Sequence, residues 1–189
     1  MSAFSVDVPW EIREQILKYQ ASFCMSDVER AQFLGLPAGC RIRENAKIIS
    51  QERLVIGENC WIGEGAVLDA SGGLSVGSNT SIGLGVYLWT HDSHKLNVRG
   101  MNTSQSKDLI RRRPTSIGKN CFIGGPSVVM PGVSVGDGCV IGPMSVVYED
   151  LAPGTVYRPY KNFIHILEKV STLEERIEAL ETMLRECKR

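Results

Sequence analysis

Thr115 to Ala152 reads TSIGKNCFIGGPSVVMPGVSVGDGCVIGPMSVVYEDLA, and this stretch decides the fold. From Ile117 an aliphatic residue returns at every sixth position, through Ile123, Val129, Val135, Ile141 and Val147. Gly follows four of these six, and a short side chain sits four places after the first five: Cys121, Ser127, Val133, Cys139 and Ser145. A helix repeats about every 3.6 residues and a strand every two. A strict period of six is neither, and it is the signature of a parallel β-helix. Each hexad is a short strand plus a corner, and three hexads close one triangular coil. The aliphatic residue points inward and stacks on its counterpart in the next coil. Gly and Asn at corners supply the positive φ of tight turns. Successive coils pair their backbones at roughly 4.8 Å, and no coil is stable without its neighbours.

Working outward, the repeat reaches back to Leu36. LPAGCR, IRENAK and IISQER form a first coil, followed by two extra residues, Leu54 and Val55. IGENCW, IGEGAV and LDASGG form a second, followed by Leu74 and Ser75. The two insertions fall 20 residues apart, hence at the same corner. A third coil breaks at Leu88-Trp89-Thr90-His91, and residues 92–116 carry no repeat. A long excursion from a rigid scaffold is a common place for function. Five coils at about 4.8 Å each predict a prism roughly 24 Å tall.

The flanks read differently. Residues 1–35 are expected to form a helical cap over the first coil. Asp7-Val8-Pro9 reads as a helix start, with Ile12, Ile16 and Tyr19 on one face, and Ser26 with Glu29 is a capping box for a second helix that Gly35 stops. Residues 155–189 carry Phe163, Ile166, Val170, Leu173, Ile177, Leu180 and Leu184 at alternating spacings of three and four. That is a heptad seam. Lys169 and Arg176 on one flank suit Glu174 and Glu181 of a parallel neighbour, so a C-terminal α-helix in a coiled coil is expected. The fold class is mainly β: a left-handed β-helix over 36–154 with an inserted loop, a helical cap and a terminal helix.

Composition narrows the function. The 21 basic and 21 acidic residues leave no net charge for a nucleic-acid partner held by bulk charge. No apolar run is long enough to span a membrane, and the opening MSAFSVDVPWEIREQ has no signal-peptide pattern, so a cytoplasmic protein is expected. Cys40, Cys60, Cys121 and Cys139 fall in one small-residue slot of the hexad and read as packed thiols, with no metal site.

His91 is the first candidate for chemistry. It stands where the coil opens into the excursion, and an imidazole can take a proton from a hydroxyl near neutral pH. Asp92, or a backbone carbonyl, would fix its tautomer. His94 reads as a loop residue and His165 as solvent-facing. From THDSH at 90–94, the loop after it, and RPTSIGKNCFIGGPSVVMPGVSVGDGCVIGPMSVVYEDLAPG at 113–154, the chain resembles the hexapeptide-repeat acyltransferases. The likeness is to the branch of galactoside, maltose, nodulation and surface-polysaccharide O-acetyltransferases.

The resemblance implies a homotrimer, acetyl-CoA as donor, a carbohydrate acceptor and active sites in clefts between adjacent prisms. His91 matches the general base. Gly124-Gly125 matches the place where a backbone N–H meets the oxyanion, and Gly125 would be the donor because Pro126 has no N–H. Gly124 and Gly125 would also flank the cofactor, and Pro143 matches a position along the pantetheine arm. The chain departs from the pattern at Val147-Tyr148-Glu149-Asp150 and at Val156 to Lys161. Arg158 and Lys161 are therefore the candidates for the CoA phosphates, with Arg111-Arg112-Arg113 read as a solvated loop face. Asp69, Trp89 and Asp92 are candidates for acceptor binding, against the plainer readings of a corner Asp and a packed indole. Other readings stay open: an amino-sugar or antibiotic N-acyltransferase, or a non-enzymatic trimeric scaffold. A γ-type carbonic anhydrase needs three convergent His, which this spacing does not offer.

Overall fold

A computed structural model describes residues 9–19, 24–101 and 106–186. Parallel strands stack into three faces of a solenoid. The first face runs Arg41–Ile42, Trp61–Ile62, Ser81–Ile82, Phe122–Ile123, Val140–Ile141, Val156–Tyr157. The second runs Lys47–Ile49, Val67–Asp69, Tyr87–Leu88, Val128–Val129, Val146–Val147. The third runs Leu54–Ile56, Leu74–Val76, Thr115–Ile117, Ser134–Val135.

The period of six becomes register. Ile42, Ile62, Ile82, Ile123 and Ile141 stack on the first face, and Ile48, Leu68, Leu88, Val129 and Val147 on the second. All ten are buried. The short-side-chain slot has its own logic. The Cys40, Cys60, Cys121 and Cys139 thiols each reach a backbone carbonyl in the coil above, at Gly57, Gly77, Gly136 and Ala152. In the same column the Thr80 hydroxyl donates to Gly118 O at 2.9 Å. A small side chain fits the tight corner, and one with a donor also satisfies a carbonyl there. Burial pushes the Cys60 and Cys121 thiols up, away from the reactive thiolate. Asn59, Asn79 and Asn120 turn the chain just before this slot at φ 57°.

The paired insertions at 54–55 and 74–75 lengthen the third-face strands: Leu54, Leu74 and Thr115 stand in register, as do Val55, Ser75 and Ser116. One boundary is corrected here. The excursion does not run to 116, because Thr115 and Ser116 already pair in the prism. Strict hexad counting misses them because they occupy the two-residue lengthening of that face.

Two helices precede the prism, α1 (Trp10–Tyr19) and α2 (Asp27–Phe33). Asp7 and Val8 lie outside the described residues; Trp10 and Ile12 of α1 are exposed. Ser26 caps α2 with both bonds of the capping box, and Gly35 ends it at φ 66°. From α2, Ala31 enters the core and the buried Arg30 guanidinium donates to Ile42 O at 2.7 Å, satisfying a carbonyl of the first coil. A short helix α3 (His94–Val98) lies in the excursion and a long helix α4 (Pro159–Glu186) follows the last coil. No helix among the described residues is long and apolar enough to cross a membrane.

Candidate active site

The excursion leaves the prism at Thr90, which is fully buried. Its N–H and hydroxyl both donate to Asp69 Oδ2, at 2.9 and 3.0 Å, and its Oγ1 accepts from Gly72 N–H at 2.7 Å. The returning strand is stapled nearby: Arg113 N–H reaches Thr90 O at 2.8 Å, and the Thr115 hydroxyl donates to Trp89 O at 2.7 Å. Between these ends His91–Asp92 pairs antiparallel with Arg111–Arg112. Two threonines thus close the base of the loop, and His91 is the first residue beyond it.

His91 Nδ1 lies 2.7 Å from Asp69 Oδ2 and 3.0 Å from Ser71 Oγ. Asp69 is fully buried. Burial alone would raise its pKa, but hydrogen bonds from the Ser71 side chain, the Thr90 and Ser71 backbones and His91 outweigh it and hold it at about 2. An ionised carboxylate only accepts, so Nδ1 carries the proton and Nε2 keeps its lone pair. Among the described residues Nε2 has no partner, and the ring is 31% exposed. The ring therefore keeps a lone pair on Nε2, with the Asp69 carboxylate held against Nδ1.

Two expectations change. Asp92 does not fix the tautomer: it pairs with His94 at 3.0 Å. Successive side chains of a strand diverge, so the residue after His91 cannot back the same ring. Asp69 does not contact an acceptor: its side chain has no exposed surface, and it serves as the carboxylate behind His91. Ser71 and Thr90 were not singled out as site residues. The signal lay in the coil length: Leu68 pairs with Leu88, so Asp69 comes level with Trp89 and next to Thr90.

Trp89 stands beside His91. It stacks on Tyr87 with ring centroids 5.8 Å apart and meets the His91 ring edge-on at 6.0 Å. Tyr87, Trp89 and His91 form an aromatic row on the outer side of the second face, the kind of surface on which sugar rings pack.

Gly124, Gly125 and Pro143 gather at another corner. Gly124 N–H is committed to Ile141 O at 2.7 Å. The Gly125 N–H has no partner among the described residues, but neither have those of Glu64 and Leu84 at the matching corners. The corner geometry thus makes the free amide. What sets Gly125 apart is space: a Cβ there would lie 1.7 Å from Leu84 O. Pro143 sits directly above Gly124, and Arg158 is exposed beyond Gly142. Lys161 falls in the first turn of α4, its side chain outside the described residues, as is that of His165. Within one chain His91 and Gly125 lie at opposite ends of the second face: Val128 pairs with Tyr87, which sets Gly125 level with Leu84, seven positions before His91. A groove of about 400 Å³ on the third face, lined by Arg53, Ser75, Ser116 and Ser134, contains neither group. Among the described residues no three His, Cys, Asp or Glu side chains are grouped to hold a metal ion.

The sequence family described as the hexapeptide repeat of succinyl-transferase matches residues 53–89 and 114–147, the blocks on either side of the excursion. A galactoside acetyltransferase solved in complex with coenzyme A is 25% identical over 81% of this chain and 78% of that one, with a TM-score of 0.57. The chain carries the hexapeptide repeat and is similar to an acetyltransferase built on it. Two further acyltransferases share the fold. A maltose O-acetyltransferase from Clostridium difficile 630 is 20% identical over 78% of this chain and 82% of that one, at a TM-score of 0.55. An N-acyltransferase from Bacillus cereus, in complex with dTDP and 3-hydroxybutyryl-CoA, is 17% identical over 79% of this chain and 100% of that one, at 0.53. No curated protein matches this chain by sequence.

Proposed function

We propose that this protein is an acyltransferase that moves an acetyl group from acetyl-CoA to a hydroxyl of a carbohydrate, with His91 as general base. The observation that carries the reading is the Asp69–His91 pair, which leaves a lone pair on Nε2 of a part-exposed ring beside an aromatic row. In the step, Nε2 takes the acceptor hydroxyl proton while the oxygen attacks the thioester carbonyl carbon. The tetrahedral oxyanion collapses, the C–S bond breaks, and the imidazolium returns its proton to the departing thiolate. Products are the acetyl ester and CoA. Asp69 stabilises the transient imidazolium without itself taking the proton.

The separation of His91 from Gly125 supports a site shared between two chains. A neighbouring prism, in a homotrimer, would bring its Gly125 amide, Gly124-Pro143 corner and Arg158 towards the His91 of the first. Trp89 would stack on the sugar. We place the reaction on the cytoplasmic side, on a surface-polysaccharide unit, a glycan precursor or a small saccharide. The coenzyme A complex of the galactoside acetyltransferase supports the donor.

The test is acceptor-dependent CoA release, followed with a thiol reagent, across a panel of neutral sugars, nucleotide sugars and amino sugars. Release with hydroxyl acceptors and formation of an ester is the expected result. Release only with amino sugars, forming an amide, would replace the O-acetyl assignment.

A further inference from the structure

The long terminal helix carries a stripe that nothing in the described chain covers. Val170, Leu173, Ile177 and Leu180 of α4 are 44%, 53%, 55% and 60% exposed. Four large aliphatic side chains in one narrow row are not left in water without a partner. Alternating spacings of three and four make a row narrower than the apolar face of a helix packed on a globular core, and it is the seam of a coiled coil. On one flank stand Lys169 and Arg176; on the other stand Glu174 and Glu181.

We propose that α4 binds α4 of other copies of this chain as a parallel, in-register coiled coil. In that alignment each flanking base faces the acid five places further along the neighbouring helix: Lys169 meets the partner's Glu174, and Arg176 meets the partner's Glu181. An antiparallel alignment would set the two bases against the bases of the neighbour and the acids against its acids, which repel. The order of charges therefore fixes direction as well as partner. A lipid surface fits the helix poorly. From 169 to 186 it carries Glu174, Glu175, Glu178, Glu181 and Glu186 against Lys169, Arg176 and Arg185, whereas helices that lie on membranes are rich in Lys and Arg on the polar face. Folding back on the parent prism would bury the row, and the row is exposed. The pairing is independent of the reaction assigned to His91. It would hold prisms at high local concentration and so favour any contact between them.

The test uses the full chain with Cys24→Ser and Cys187→Ser, so that the remaining thiols are the four buried in the prism. Ile177→Cys puts one thiol in the seam, and Glu175→Cys puts one on the opposite side of α4. Both are oxidised mildly at low concentration and run on a non-reducing gel, with circular dichroism as the check on folding. Only a parallel, in-register pair brings identical seam positions within disulfide range. The expected result is covalent dimer from Ile177→Cys far in excess of Glu175→Cys. Adding Lys169→Glu should slow the cross-link, and adding Glu174→Lys to that should restore it. Equal cross-linking at 177 and 175 overturns the proposal. So does an Ile177→Cys thiol that gives no dimer in solution and becomes protected from thiol reagents on adding phosphatidylserine vesicles, which would assign the row to a membrane.

Discussion

Asp69 Oδ2 stands 2.7 Å from His91 Nδ1 although 22 positions separate the two residues. One turn of the solenoid closes that gap, and the buried Thr90 hydroxyl donates to the same carboxylate oxygen while Ser71 N–H holds the other. The ring is thus oriented by the prism and offered by the loop.

Asp69→Asn should abolish most of the activity. An amide in that position can donate to Nδ1, which would move the imidazole proton to Nε2 and remove the base. The expected fall in kcat is of the order of 10²–10⁴-fold, the range typical of a general base. The acetyl-CoA dissociation constant should stay unchanged. Steady-state kinetics with a binding isotherm checks both, and an unchanged kcat would remove Asp69 from the mechanism.

Acid stability should follow the same residue. Asp69 is held at about 2 against an ordinary 3.8, so its folded pKa is depressed. The stabilisation it contributes is full above the unfolded value and is lost as pH falls from about 4 through about 2. Linkage puts it at roughly 2 kcal/mol. Denaturant unfolding at a series of pH values should show that loss in the native chain and lack it in Asp69→Asn. A parallel decline in both would deny the link.

Thr90→Val tests the staple at the base of the loop. The change keeps the shape but leaves Gly72 N–H without its acceptor and removes one donor from Asp69. A loss of about 1–3 kcal/mol is expected. Activity should fall as well, because His91 begins at the next residue. A variant with native melting temperature and native rate would contradict the arrangement.

Gly125→Ala should act first on the fold. Its new methyl would meet Leu84 O at 1.7 Å, and the obstacle is backbone. Destabilisation of roughly 1–3 kcal/mol is expected from such overpacking. Thermal unfolding reads it directly, and a native melting temperature would show that the corner has room.

The scaffold was legible because its period is written into the core: Ile123 and Ile141 stand in one column 18 residues, or three hexads, apart, and Ile62 and Ile82 of the same column stand 20 apart, three hexads plus the two-residue lengthening. His91 was legible from its place at the break in that period. Its partner was not. Asp92 is adjacent in sequence, but strand alternation turns it away, towards His94. Asp69 lies at the end of an ordinary-looking hexad strand, and only the vertical stacking of coils shows that it comes beneath the loop. Likewise Thr115 reads as loop until the lengthened strands of the third face are aligned.

The most direct test of the account is the rate of acetyl transfer by His91→Ala at saturating acetyl-CoA and acceptor, measured beside acetyl-CoA binding to the same variant. The account predicts a loss of the order of 10²–10⁴-fold in kcat with donor binding retained. A variant that binds donor and transfers acetyl at the native rate would contradict it, and the base would have to be sought elsewhere on the prism.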